Sequence, residues 1–257
     1  MDFKNPDEVK ILPPAMLMPV GGPDWARVFA MRQLAMSTPN APAYLLAPEV
    51  AVLLSYLPDL RQRTFFETMW NTGARPNEAL ALTPASLLFK QAMPAIKLPT
   101  LKQRTRGRGR PKESELPVRD VPVWDTTYRE RMTSLVATLK IRVDEPLWPV
   151  SPDTISRWLK RAIDAAERDG VTFSITPIIP KSFRHSFAMH ILFNRIHPKV
   201  LQTLMGHKSF KSTEVYTKLF LFDIAGQHQV NFGYDVEQAK LAMMQAANLP
   251  RQISGHF

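Results

Sequence analysis

The chain has 257 residues, with 33 Lys and Arg against 23 Asp and Glu, a formal net charge of +10 at pH 7. This length can bury a sizeable core, and the positive charge predicts an anionic partner, with nucleic acid favoured over an anionic membrane. There is no cysteine, which excludes disulfides and thiolate chemistry. No apolar run approaches the ~20 residues that span a bilayer, and no signal sequence opens the chain, so we expect a cytoplasmic protein. None of the histidines has the spacing of a metal-binding pair, so no metal is expected.

The first half of the chain begins with a segment rich in Pro, Met and Ala, residues 1–46. Only residues 24–36 there have a helical pattern, so we interpret the segment as an arm with one short helix. Apolar residues then recur at positions 50, 53, 54 and 57, and again at 65, 66, 69 and 70, which is the spacing of buried helix faces. We predict two helices separated near Pro58, with Gly73 ending the second and Pro76 opening a third.

Two short alternating runs between Ala95 and Trp124 flank a basic stretch, KQRTRGRGRPK, and predict a β-hairpin with a long tip. Helical patterns return at residues 125–139, 151–169, 181–194 and 197–205, with Ser151 and Asp153 as candidate caps. A last helical pattern, at 235–248, lies near the end of the chain. The predicted fold class is therefore mainly α with a small antiparallel β-sheet (α+β).

Two motifs carry residues suited to phosphate chemistry. The first, TGARPNEALALT at residues 72–83, places Arg75 in a turn before a helix, with Glu78 three residues later. The second, at residues 181–216, contains Arg184, a Gly-His pair and Tyr216. An arginine fork grips two phosphate oxygens without losing its charge, and a phenol becomes a nucleophile when a neighbouring group helps to remove its proton.

Together the two motifs resemble those of the tyrosine recombinases, the phage integrase family of site-specific DNA recombinases. TGAR..EAL.LT is similar to the family pattern TGxRxxExxxL, and Arg184-His185 matches the end of its His-x-x-Arg-His box. Tyr216 lies nine residues after His207, as the family spacing requires. The resemblance covers residues 47–220, which we interpret as a catalytic domain with the tyrosine-recombinase fold. The tail at 221–257 is then expected to pack on a neighbouring protomer.

The resemblance implies a role for each motif residue. Arg75 and Arg184 would clamp the scissile phosphate, and His207 would help to deprotonate Tyr216, the nucleophile. Glu78 would support the site.

One position departs from the family pattern, because Lys181 stands where the first histidine of the box is usual. A lysine can still donate to a phosphate oxygen, but it cannot shuttle a proton as imidazole does. His185 and His190 are interpreted as packing or capping groups, because their helix is otherwise apolar.

The family places its general acid, a lysine, on the hairpin. Lys102 is the best positional match, and Lys112 is the alternative. Arg108-Gly109-Arg110-Pro111 resembles the core of an AT-hook, so an A·T-rich stretch near the cleavage site is expected. A solvated loop is the other interpretation of this basic run. The residues expected to bind DNA here are Arg104, Arg106, Arg108, Arg110 and Lys112.

The family resemblance implies cleavage and religation of double-stranded DNA through a 3′-phosphotyrosyl intermediate, with no cofactor. It also implies a homotetramer on two synapsed sites. Because fewer than fifty residues precede the catalytic part, a host architectural protein is a candidate partner.

The segment after Tyr216 resembles plasmid resolvases that reduce multimers, and a protein associated with plasmid or nucleoid is expected. Integration and inversion use the same chemistry and stay open. A non-catalytic DNA-binding regulator with this fold and an A·T-groove architectural protein are the alternatives.

Overall fold

The computed structural model describes residues 42–100 and 117–225, together with the single positions 240, 243 and 244. Within these ranges the chain forms eight α-helices, one 3₁₀ turn and a three-stranded antiparallel sheet. The prediction of a mainly α fold with a small antiparallel sheet is confirmed. The helix expected at 24–36, the basic hairpin tip and most of the helix expected at 235–248 lie outside the described residues.

The secondary structure follows the chain in a simple order. The helices are α1 (Ala47–Ser55), α2 (Leu60–Thr72), α3 (Pro76–Leu80), α4 (Thr126–Leu139), α5 (Pro152–Arg168), α6 (Pro180–Phe193), α7 (Pro198–Leu204) and α8 (Lys211–Ala225). The strands are β1 (Leu87–Leu88), β2 (Ala95–Pro99) and β3 (Val118–Pro122), paired in the order β1-β2-β3. The predicted hairpin corresponds to β2 and β3, which pair from Ala95 opposite Pro122 to Pro99 opposite Val118.

Local sequence explains where the helices begin and end. Asp59, Asp125 and Ser151 cap α2, α4 and α5, each accepting a hydrogen bond from the backbone amide three residues later. Of the two predicted caps of α5, Ser151 is the N-cap, whereas Asp153 lies in the first turn. Gly73 ends α2 in the left-handed conformation, with φ 61°, as predicted. Helices α3, α5, α6 and α7 each begin on a proline, which suits the first turn of a helix.

The core is built around α2, which packs against both α4 and α6. Phe65 makes edge-on contacts with Phe66 and Trp148, each with ring centroids 5.3 Å apart, and Phe66 reaches Phe183 of α6 at 5.0 Å. The backbone amide of Leu45 donates to Ser186 Oγ of α6 at 2.7 Å, so the segment before α1 also packs on this helix. Helix α6, which carries Arg184, is therefore held from several sides.

Three described elements were not predicted from the sequence, the first being the 3₁₀ turn at Pro84–Ser86. Strand β1 adds two residues to the edge of the hairpin, and α8 contains Tyr216. Among the described helices, none combines the length and the apolar composition needed to cross a bilayer.

Candidate active site

Arg75 and Glu78 lie at the start of α3, one turn after α2 ends. The Glu78 carboxylate accepts the Arg75 backbone amide at 3.0 Å and Arg75 Nη1 at 2.6 Å. The Glu78 side chain is fully buried, whereas that of Arg75 is 26% exposed. The arginine is thus fixed from behind by a buried carboxylate and keeps part of its fork accessible.

Arg119, on β3, is a site residue that the sequence analysis missed. Its Nη2 donates to Glu78 Oε2 at 2.7 Å, and its Nε donates to the carbonyl oxygen of Leu204 at 3.0 Å. A Cβ added at Gly206, which has φ 61°, would come within 3.1 Å of the Arg119 side chain. Arg119 therefore connects the hairpin to α3 and to the turn after α7. The sequence signal was only its place on a predicted strand, where an arginine more often faces solvent.

Arg184 is almost completely buried on α6, with 4% of its surface exposed. Its guanidinium donates to the carbonyl oxygens of Gly73 and Met205, the second at 2.7 Å. Burial lowers the pKa of Arg184 to about 9, and the charge of Arg75 adds to this effect. Because that value is still above neutral pH, the side chain stays a cation.

His207 lies in the turn between α7 and α8 and is held at both ring nitrogens. Its Nε2 lies 3.2 Å from Arg184 Nη2, and its Nδ1 lies 2.9 Å from Thr213 Oγ1. Arginine can only donate, so Nε2 accepts, and Nδ1 carries the proton and donates to Thr213. Burial and then the charges of Arg184, Arg75 and Arg119 lower the pKa of His207 to about 4, consistent with a neutral ring.

Tyr216 lies on α8 with only 3% of its surface exposed. Its hydroxyl is 2.8 Å from His185 Nδ1, and its ring lies parallel to that of His207 with centroids 6.4 Å apart. Burial raises the pKa of Tyr216 to about 12, although Arg184 and Arg75 oppose the shift. The phenol is therefore protonated at neutral pH and needs a proton acceptor before it can attack.

A cleft of about 630 Å³ opens at Arg75 and Arg184 and is also lined by Glu78, Lys181 and Ser156, among others. Lys181 is exposed in the first turn of α6. The cleft thus presents three cations around one carboxylate that is already paired, an arrangement suited to a phosphate group.

The structure brings together Arg75, Arg184, His207 and Tyr216, with Glu78 supporting the first and Lys181 on the same cleft. The catalytic and DNA-binding roles of these residues stay predictions. The predicted general acid Lys102 lies outside the described residues, as do Arg104, Arg106, Arg108, Arg110 and Lys112. In the part of the chain that the structure describes, no group of three or more His, Asp or Glu residues could hold a metal ion.

The two histidines interpreted as packing groups differ in their surroundings. His190 packs against Trp70, with ring centroids 4.8 Å apart and the ring planes tilted by 42°. His185 contacts the Tyr216 hydroxyl instead. The motif that includes His185 did not predict this contact, because the contact depends on where α8 packs.

Comparison with known proteins identifies the family. The model of the phage integrase family matches residues 44–221. A resolvase of Escherichia coli is 46% identical over 224 residues, which cover 81% of this chain and 86% of the relative. A probable site-specific recombinase in the afa region of Escherichia coli is 44% identical over 235 residues, which cover 91% of this chain and 92% of the relative.

Solved structures share the fold. The XerH site-specific recombinase bound to difH substrate, in a pre-cleavage complex, superposes with a TM-score of 0.53 at 18% sequence identity. The match covers 77% of this chain and 52% of XerH, so the chain spans about half the length of that protein. The chain belongs to the phage integrase family, whose members are tyrosine-type site-specific recombinases.

Proposed function

We propose that the protein cuts one DNA strand at a time with Tyr216 and rejoins it to a strand from a partner site. The observation that carries this proposal is the convergence of Arg75, Arg184, His207 and Tyr216 from four separate segments, with the two arginines lining one cationic cleft. Each supplies a part that cleavage of a phosphodiester needs: cations for the developing charge, a hydrogen-bonding imidazole and a nucleophile.

In the proposed reaction, Tyr216 Oη attacks the phosphorus and the bond to the 5′ oxygen breaks. A 3′-phosphotyrosyl ester forms, and Lys102 gives a proton to the leaving oxygen. Arg75 and Arg184 neutralise the phosphate oxygens, with Lys181 as a further donor. Because the ester keeps the bond energy, a 5′-hydroxyl from either site can reverse the step without ATP, a metal or another cofactor.

The partner in this proposal is double-stranded DNA, in agreement with the net charge of +10. XerH, which shares the fold, was solved bound to its difH substrate. An A·T-rich stretch near the cleavage point, a homotetramer on two sites and a host architectural protein belong to the same proposal. A relative named resolvase, 46% identical, supports resolution over integration or inversion, and resolution of plasmid multimers is the form of it that belongs to this proposal. Association with plasmid or nucleoid would follow.

Trapping of covalent adducts tests the proposal. The wild-type protein and Tyr216→Phe are incubated with fragments of the replicon that encodes the protein, denatured with detergent, and the protein-linked ends are sequenced. Tyr56→Phe is a matched control, because the Tyr56 hydroxyl binds Asp169 at 3.0 Å, outside the site.

We expect discrete 3′-linked ends with the wild type and with Tyr56→Phe, and none with Tyr216→Phe, which should still bind DNA. DNA binding without an adduct from any of the three would favour a regulator or an architectural protein. A non-catalytic protein would explain why this chain has Lys181 where the family pattern has a histidine.

A further inference from the structure

The group that touches the nucleophile in this structure is His185. Its Nδ1 lies 2.8 Å from Tyr216 Oη, a hydrogen-bonding distance. The two rings have centroids 5.8 Å apart and are tilted by 47°, so they are not stacked, and the polar contact is the one between Nδ1 and Oη.

His207 and Lys181 are the two other residues that the motif spacing suggests as proton acceptors for Tyr216, and neither offers a free acceptor atom to its hydroxyl. His207 uses its Nε2 to accept from Arg184 and its Nδ1 to donate to Thr213, and its ring is parallel to the tyrosine ring with centroids 6.4 Å apart. Position 181, where the family pattern has a histidine, is a lysine in this chain. A protonated lysine has three donors and no acceptor.

Burial and, after it, the neighbouring cations favour a neutral ring at His185. It is packed between its own helix, which carries Lys181 and Arg184, and Tyr216 of α8, with His207 nearby. Burial, with the charges of Lys181 and Arg184 added, lowers the pKa of His185 to about 4. A neutral imidazole has one nitrogen with a free lone pair, and the protonated phenol is the donor that faces it.

We propose that His185 accepts the proton of Tyr216 during strand cleavage and returns it during religation. The Tyr216 O–H bond breaks as the bond from Oη to phosphorus forms, and the proton moves to Nδ1, leaving an imidazolium with Nε2 already protonated. The leaving 5′ oxygen takes its proton from a different group. In the reverse step the 5′-hydroxyl attacks, the tyrosyl ester breaks, and His185 reprotonates Oη.

DNA binding favours this transfer for an electrostatic reason. The two cations that depress the pKa of His185 are Lys181 and Arg184, and both line the cleft. A phosphate diester bound there offsets their charge, so the pKa of His185 rises when the substrate is in place. The low value in the free protein is therefore compatible with a proton acceptor that works only on bound DNA.

The decisive variant is His185→Asn, because the amide oxygen of asparagine can occupy the position of Nδ1 and accept the phenol hydrogen bond but cannot take up the proton. The variant therefore distinguishes two roles of His185, the orientation of Tyr216 and the removal of its proton. His190→Asn is the matched control, since His190 is on the same helix and is half-buried, and its pKa is also lowered by burial. Thermal unfolding and DNA binding of both variants are measured alongside.

Cleavage is measured in single turnover on the site found by adduct mapping, with an ordinary substrate and with a 5′-bridging phosphorothiolate, whose thiolate leaves without a proton. We expect His185→Asn to be slower by at least about 100-fold on both substrates, the usual contribution of general base catalysis. The control should cleave like the wild type. Lys102→Ala, the candidate general acid, should be slow on the ordinary substrate and recover on the phosphorothiolate.

Three results would overturn the role of His185: cleavage by His185→Asn at the control rate, faster cleavage, or recovery on the phosphorothiolate. Faster cleavage would mean that the contact restrains Tyr216, and recovery would place His185 at the leaving group. If His185→Asn does not fold, His185→Ala with added imidazole replaces it, and absence of rescue in a folded, DNA-binding variant contradicts the role.

The role of His185 rests on the proposed function, and different results would refute the role and the function. A wild type that makes no adduct refutes Tyr216 as the nucleophile. A wild-type adduct together with a fast His185→Asn refutes only the proton acceptor.

Discussion

Glu78 organises the site although it has no suitable chemistry toward a phosphate anion. It is fully buried and accepts from Arg75 and Arg119, and Arg184 Nη1 lies 4.0 Å from its Oε2. Burial alone would raise the pKa of this carboxyl, but the hydrogen bonds and charges of Arg119 and Arg75 outweigh burial and lower the pKa. Removing one partner of such a buried arrangement leaves the others uncompensated.

We predict that Glu78→Gln lowers the free energy of unfolding at neutral pH, and that its difference from the wild type shrinks on acidification. Because the folded-state pKa is below the ordinary value of 4.5, the carboxylate stabilises the fold fully above that value. This stabilisation is lost as the pH falls through the lower folded-state pKa. Urea denaturation of both proteins across the acidic range measures the difference. A constant difference at every pH would contradict the role given to the ionised carboxylate.

At the residue scale, sequence predicted the members of the site whose signal is a local motif. Arg75, Arg184 and Tyr216 stand at fixed distances from glycine, histidine and glutamate neighbours. Arg119 carries no such signal, and His185, although it belongs to the same motif as Arg184, carries none for its contact with Tyr216, because the partners of both residues come from other elements. Which side chain faces another across the fold depends on packing and not on spacing within one helix or strand.

The turn between α2 and α3 is the element on which the site depends most. Gly73 has a left-handed φ of 61°, and its carbonyl oxygen accepts from Arg184. A Cβ built on Gly73 would lie 2.3 Å from Phe187 of α6. The residue therefore has to be a glycine for conformation and for space.

Gly73→Ala is predicted to destabilise the protein more than Gly170→Ala does. Both glycines have positive φ, but a Cβ on Gly170 meets nothing within 4 Å. Each variant suffers the backbone strain, about 1–2 kcal/mol, and only Gly73→Ala adds overpacking of about 1–3 kcal/mol. Denaturant unfolding gives the two free energies, and equal losses would contradict the close approach of α6. We also expect Gly73→Ala to slow cleavage through displacement of Arg184.

At the element scale, most helix limits could be predicted because prolines, caps and Gly73 mark them. Strand β1 was missed because two residues are too few to show the alternating pattern of a strand. These residues pair only when β2 is in place. Helix α8 was missed because Thr213, Val215 and Thr217 are β-branched and have lower helix propensity. Burial of Tyr216 and Leu219 against the core compensates for this.

For the whole molecule, the net charge of +10 predicts that affinity for DNA falls steeply with salt. Replacing Arg108 and Arg110 with alanine should reduce the slope of log affinity against log salt by about 1 for each lost phosphate contact. The matched control replaces Arg142 and Lys160, which are exposed and paired with Glu145 and Asp164. Equal slopes for both double variants would favour the solvated-loop interpretation of the basic tip.

Identification of the DNA-linked residue tests the central claim most directly. The trapped adduct is digested with nuclease and trypsin and analysed by mass spectrometry. We predict that the peptide of residues 212–218, STEVYTK, carries a nucleotide joined through its 3′-phosphate to Tyr216. A link to another residue, or a link through a 5′-phosphate, would contradict the account.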